Sequence, residues 1–137
     1  MKKLLAVIVL MMAVMLFAQS PQAKNGITTG TTTNAVTKVT FDVGADTDSL
    51  FVGRYTNKMI KVVNTGSASK DISYWVYCYV SKGDTTPITF ASATDLSDDA
   101  IAVCDINATY YKIVVEVEST VDGDHSTYQV TWALRYQ

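Results

Sequence analysis

Two stretches near the C-terminus alternate strictly between apolar and polar residues. In residues 110–120, Tyr111, Ile113, Val115 and Val117 fall on one side and Lys112, Glu116 and Glu118 on the other. In residues 126–136, Tyr128, Val130, Trp132, Leu134 and Tyr136 alternate with Thr127, Gln129, Thr131 and Arg135. A period of two marks a strand with one buried face. Between the two lies Val121-Asp122-Gly123-Asp124, and an Asp-Gly turn flanked by alternating runs predicts a β-hairpin. That much half-buried strand demands a second apolar face to cover it.

The rest of the chain offers such a face. Alternation starts at Val36 and continues through Val39, Phe41 and Val43; further strands are predicted over 50–55, 58–64, 72–81, 88–90 and 101–106. With the final pair this gives about eight strands separated by turns. The expected fold is all-β, a two-sheet antiparallel sandwich of immunoglobulin-like or jelly-roll-like type. Abundant Thr, Ser, Val and Tyr suit strands, and Pro87 is the only proline after residue 23. Its missing N–H suits a sheet edge.

Ahead of the sandwich, Lys2-Lys3, an apolar run over 4–17 and the small-residue exit Ala18-Gln19-Ser20-Pro21-Gln22-Ala23 have the form of a secretory signal helix. The run falls short of the roughly twenty residues that a membrane span needs. Cleavage is expected between Gln19 and Lys24, giving a leader over 1–23, an extended Thr-rich arm over 24–35 and the sandwich over 36–137. The implied location is secreted or at the cell surface. Losing Lys2 and Lys3 makes the net charge more negative than −2. With no basic face, nucleic acid and an anionic membrane surface are not expected partners.

Residues 59–68, Met-Ile-Lys-Val-Val-Asn-Thr-Gly-Ser-Ala, carry a strand followed by an Asn-x-Gly turn, in which Asn64 and Gly66 tolerate positive φ. This stretch, continued to Ser81, resembles the strand–turn–strand hairpin of CARDB-type cell-adhesion domains, and is similar to camelysin/TasA-like surface-filament subunits. The resemblance implies an immunoglobulin-like fold and an extracellular structural role, and brings no catalytic residues with it.

Strand 72–81 is apolar on both faces: Ile72, Tyr74, Val76, Cys78 and Val80 on one, Trp75, Tyr77 and Tyr79 on the other. A second sheet covers only one side, so Trp75, Tyr77 and Tyr79 form a candidate contact face unless residues 82–87 or 91–100 fold over it. Cys78 and Cys104 are the only cysteines, and in an oxidising compartment a disulfide between them is expected, worth roughly 3.5 kcal/mol by loop closure. Their spacing and the single His125 argue against zinc. The acidic turns at Asp46/Asp48, Asp95/Asp98/Asp99 and Asp122/Asp124 lack the spacing of a calcium loop, so no metal is expected. Asn107-Ala108-Thr109 fits the N-glycosylation acceptor pattern.

No nucleophile elbow accompanies His125, and Glu116 and Glu118, two apart on one strand face, read as solubilising charges. Neither an enzyme nor a cofactor is expected. The leading expectation is a self-assembling extracellular filament subunit, whose partners are copies of itself. Its arm, through Ile27, Thr28, Thr31, Thr33 and Val36, would add a strand to a neighbour. The alternative is a carbohydrate-binding module, with Trp75, Tyr77 and Tyr79 stacking on glycans. A virion-decorating sandwich is the third.

Overall fold

The computed structural model describes residues 24–32, 39–42, 55–66, 70–81, 83–120 and 125–135. Eight strands run through them: β1 (Lys24–Thr31), β2 (Val39–Asp42), β3 (Asn57–Asn64), β4 (Ile72–Tyr79), β5 (Ile88–Leu96), β6 (Ile101–Ile106), β7 (Lys112–Ser119) and β8 (Thr127–Arg135). They form two four-stranded antiparallel sheets, ordered β1-β8-β3-β6 and β2-β7-β4-β5. The expected all-β sandwich is therefore present, with the strand order of a jelly roll. Its logic is one long hairpin, rolled up: β1 pairs with β8, β2 with β7, β3 with β6 and β4 with β5. Rolling then adds the β3–β8 and β4–β7 ladders. At the tip, Asp84 caps the chain by accepting from the N–H groups of Val80 and Thr86, each at 3.0 Å.

The core lies where the inward faces meet. Ile72, Tyr74, Val76 and Cys78 of β4 and Ile113, Val115 and Val117 of β7 pack against Ile60, Val62, Cys104, Ile106, Tyr128, Val130 and Leu134 of the other sheet. The alternating faces read from the sequence point inward at Ile72, Tyr74, Val76 and Cys78 of β4, at Ile113, Val115 and Val117 of β7 and at Tyr128, Val130 and Leu134 of β8, whereas Val80 is exposed.

The pairing of those strands differs from the sequence expectation. β7 and β8 are not a hairpin: each is a central strand of a different sheet, so they face one another across the core. Their apolar faces cover each other, which a shared sheet would not allow. β3 and β4, expected as a hairpin around Asn-x-Gly, likewise lie in opposite sheets. The Asn64 carboxamide still accepts from the Gly66 N–H at 3.0 Å, so the local turn is as expected, but it carries the chain from one sheet to the other. Residues 91–96, weighed as a cover for the aromatic face, instead extend β5 beside β4. The arm is a strand of the fold, β1. The leader and residues 50–54 of the strand expected over 50–55 lie outside the described residues; Tyr55 is buried and precedes β3.

Candidate assembly surface

Among the described residues, β1 is an edge strand laddered to β8 alone. Its fit is specific. Gly26 stands opposite Trp132 and Gly30 opposite Tyr128, and the two rings lie over the glycines. A Cβ at Gly26 would sit 2.4 Å from the Trp132 ring, and one at Gly30 2.4 Å from the Tyr128 hydroxyl. Glycines four apart on one strand thus receive aromatics four apart on the next, and a slip by one residue would drive each ring into a β-carbon. The sequence signal was available in that shared spacing.

The C-terminal end of β1 is held by a buried polar clasp. The Thr32 N–H donates to the Ser126 carbonyl at 2.9 Å and the Ser126 N–H to Thr32 Oγ1 at 3.0 Å, while the Thr32 and Ser119 hydroxyls meet at 2.5 Å. Next to them Asn64, fully buried, donates from Nδ2 to the carbonyls of Lys70 (2.7 Å) and Leu96 (2.9 Å). Its Oδ1 accepts from the Ser126 hydroxyl at 2.8 Å. These bonds tie both sheets and the ends of five strands together, a role that sequence reading missed for Asn64, Ser119 and Ser126.

Alternation of hydrogen bonding along an antiparallel ladder fixes where β1 directs its remaining backbone groups. Because Thr32 faces β8, so do Gly30, Thr28 and Gly26; Asn25, Ile27, Thr29 and Thr31 direct theirs away from the sheet. The same four side chains are exposed on the outer face, Ile27 at 64%. Of the other arm residues singled out from the sequence, Thr28 points inward opposite Val130, and Thr33 and Val36 lie outside the described residues.

The opposite edge of this sheet is β6. The Asn64 N–H donates to the Ala100 carbonyl at 3.2 Å, so Ala102 and Cys104 face β3 while Ile101, Val103 and Asp105 direct their backbone groups outward. Ile101 and Val103 are 56% and 58% exposed. Beyond Asp105 an open groove of about 390 Å³ runs between Asn57, Met59, Asn107, Ala133 and Arg135. Asn107 is exposed there.

The aromatic row lies on the outer face of the other sheet, as its alternation required. Trp75 sits between Ser92 and Glu116, Tyr77 between Thr89 and Val114, and Tyr79 beside Lys112, whose Nζ lies 5.1 Å from the ring centre. All three rings are half-buried among these neighbours.

Cys78 and Cys104 are buried in the same core as free thiols. Burial, reinforced by the Cys104 thiol nearby, pushes Cys78 up to about 12; burial and the Asp105 carboxylate push Cys104 up to about 11. The two thiols are near neighbours in the core, close enough for Cys104 to act on the ionisation of Cys78. The expected disulfide is not formed in this arrangement.

Lys58 is buried as well, its Nζ donating to the carbonyls of Tyr55 and Ala108. Burial lowers its pKa from the usual lysine value, partly countered by the nearby Cys78. Asp95 and Asp99 adopt positive φ, so the acidic turn uses aspartate for backbone geometry. His125 is exposed. Among the described residues, no three His, Cys, Asp or Glu side chains gather as metal ligands.

No protein-family model and no curated protein matches this chain. Solved structures that superpose on it include the Yersinia pseudotuberculosis-derived mitogen, at TM-score 0.54 and 11% identity over 85% of this chain and 89% of that one. Another is PliG of Aeromonas hydrophila, a periplasmic inhibitor of g-type lysozyme, at 0.51 and 10% over 85% and 90%. A Bacillus endospore appendage pilus subunit superposes more loosely, at 0.47 and 11% over 85% and 90%. At such identities the likeness is one of fold alone. It supports the sandwich expected from residues 59–81, not membership of a surface-filament family.

Proposed function

We propose that this protein is a secreted structural subunit that assembles with copies of itself at the cell surface by β-strand addition through β1. The observation that carries the reading is the outward edge of β1: its outward backbone groups coincide with exposed Asn25, Ile27, Thr29 and Thr31, while its other edge is locked onto β8 by Gly26 and Gly30. An edge so presented, with no proline or lysine from Asn25 to Thr31 to blunt it, is a template for another strand. With the leader removed before Lys24, that edge lies at the start of the mature chain. The reading assigns the chain no catalytic step and no cofactor.

The test is light scattering and negative-stain microscopy on mature protein purified from culture medium. Regular polymers are expected; a monodisperse monomer across micromolar to millimolar concentrations overturns the proposal. Truncating the arm is a poor test, because removing β1 uncovers Trp132 and Tyr128. The alternative, glycan binding on Trp75, Tyr77 and Tyr79, draws on their alignment in one outer-face row. Its mark is glycan retention abolished by Trp75→Ala with assembly intact.

A further inference from the structure

We infer that the edge receiving β1 is β6 of a second copy, in the register that places Ile27 beside the neighbour's Val103, so that copies join head to tail into one continuous sheet. This rests on the assembly reading above and names its partner surface.

Three features of the sheet converge on that pairing. The first is direction. Each step from β1 to β8 to β3 to β6 reverses the chain, so β1 and β6 run oppositely. Copies stacked side by side in the same orientation bring them together antiparallel. The second is hydrogen-bond phase. In a four-stranded antiparallel sheet the alternation closes on itself, and here the outward backbone groups are those of Asn25, Ile27 and Thr29 on one edge and Asp105, Val103 and Ile101 on the other. Three such pairs exchange about six hydrogen bonds, two for each pair.

The third is side-chain complementarity along the cross-strand rows. Ile27 stands opposite Thr131, Thr131 opposite Lys61 and Lys61 opposite Val103. Ile27 and Val103 are thus the two ends of a single row, and both are largely exposed. Stacking without shear sets them side by side as an apolar pair. The row on one side ends in Asn25 and Asp105, an amide donor and a carboxylate acceptor; the row on the other ends in Thr29 and Ile101, both β-branched. Each pair is of a type that stabilises adjacent strands. The contact joins two different surfaces, so it repeats without closing. The expected rise is about 19 Å per copy, four strand spacings of about 4.8 Å.

The experiment compares wild type with Ile27→Lys, Val103→Glu and the double variant. Both positions are exposed and their backbone groups point out of the sheet, so circular dichroism melts should match wild type. Each single change is expected to raise the critical concentration for assembly about tenfold or more, because it buries a charge against an aliphatic neighbour. The double variant should restore assembly, and the rescue should weaken as salt is raised. Within one copy the two positions are about 14 Å apart, three strand spacings, so rescue reports a contact between copies. Slowed hydrogen exchange at the Ile27 and Val103 amides on assembly checks the same contact without mutation. Polymers unaffected by either single change, or amides that exchange equally fast in both states, overturn the β1–β6 pairing while leaving self-assembly standing. Absence of wild-type polymers overturns the assembly reading instead.

Discussion

Replacing Asn64 by leucine tests whether the buried clasp holds the sandwich together. Leucine matches asparagine closely in volume, so the change removes hydrogen bonds without opening a cavity. The Leu96 carbonyl loses its donor and the Gly66 N–H its acceptor, while the Lys70 carbonyl keeps the Ser126 hydroxyl. The Ser126 hydroxyl keeps a second partner in the Lys70 carbonyl at 3.2 Å and is not orphaned. Two stranded groups at about 1 kcal/mol each, the low end for buried unsatisfied atoms, give a loss of about 2 kcal/mol. Against a total of roughly 5–15 kcal/mol this is a large fraction, and it corresponds to a Tm about 10 °C lower.

Denaturant unfolding followed by tryptophan fluorescence reads the loss directly. Ser126→Ala, which removes one donor to Asn64, should cost about 1 kcal/mol. Asn64→Asp keeps one acceptor but aims its second oxygen at the two carbonyls that the amide now serves. It should be worse than leucine at neutral pH and recover as pH falls, because protonating the buried carboxyl restores a donor. A loss below about 1 kcal/mol for Asn64→Leu would refute the reasoning, since the two groups would then have other partners.

Gly30→Ala places its β-carbon against the Tyr128 ring and should cost about 1–3 kcal/mol, read as lost amide protection along β1 with the second sheet unaffected. The folded protein should resist thiol alkylation and take up two labels once unfolded without reductant; no uptake would mean that the bridge expected from the sequence is present. Alkaline titration gives an independent check. Folded Cys78 and Cys104 titrate near about 12 and about 11, above the ordinary 9.0, so the unfolded chain loses these protons first. Their contribution is complete below pH 9 and is lost as pH rises through the folded values. Lys58 acts in the opposite sense, its lowered value making the fold gain as pH climbs toward 10.5. A Cys78→Ala/Cys104→Ala variant should therefore show a flatter alkaline profile than wild type, and an unchanged profile would count against free thiols.

What the sequence by itself determined was which residues form strands and which side of each strand is dry. The alternation at Ile113/Val115/Val117 and at Tyr128/Val130/Trp132/Leu134 is a local property, since successive side chains on a strand must point to opposite faces. Seven of the eight observed strands fall on or overlap expected stretches, β5 running six residues beyond its expected end. The Asx turn at Asn64–Gly66 was equally local. Partnership was not. Any strand with one apolar face can pair with any other, so the Asp-Gly signal at residues 122–123 suggested a hairpin where burying both faces required β7 and β8 to lie across the core from one another. Lys58 and Asn64 read as ordinary polar ends of a strand, because their carbonyl partners come from segments far along the chain. The Thr-rich arm was expected to reach a neighbour's sheet, and only the Trp132 and Tyr128 rings, brought alongside by the rolled topology, turn its glycines into seats on its own sheet. The free edges, and hence the candidate assembly surface, exist only once strand order is set: an edge is a property of the sheet, not of any strand within it.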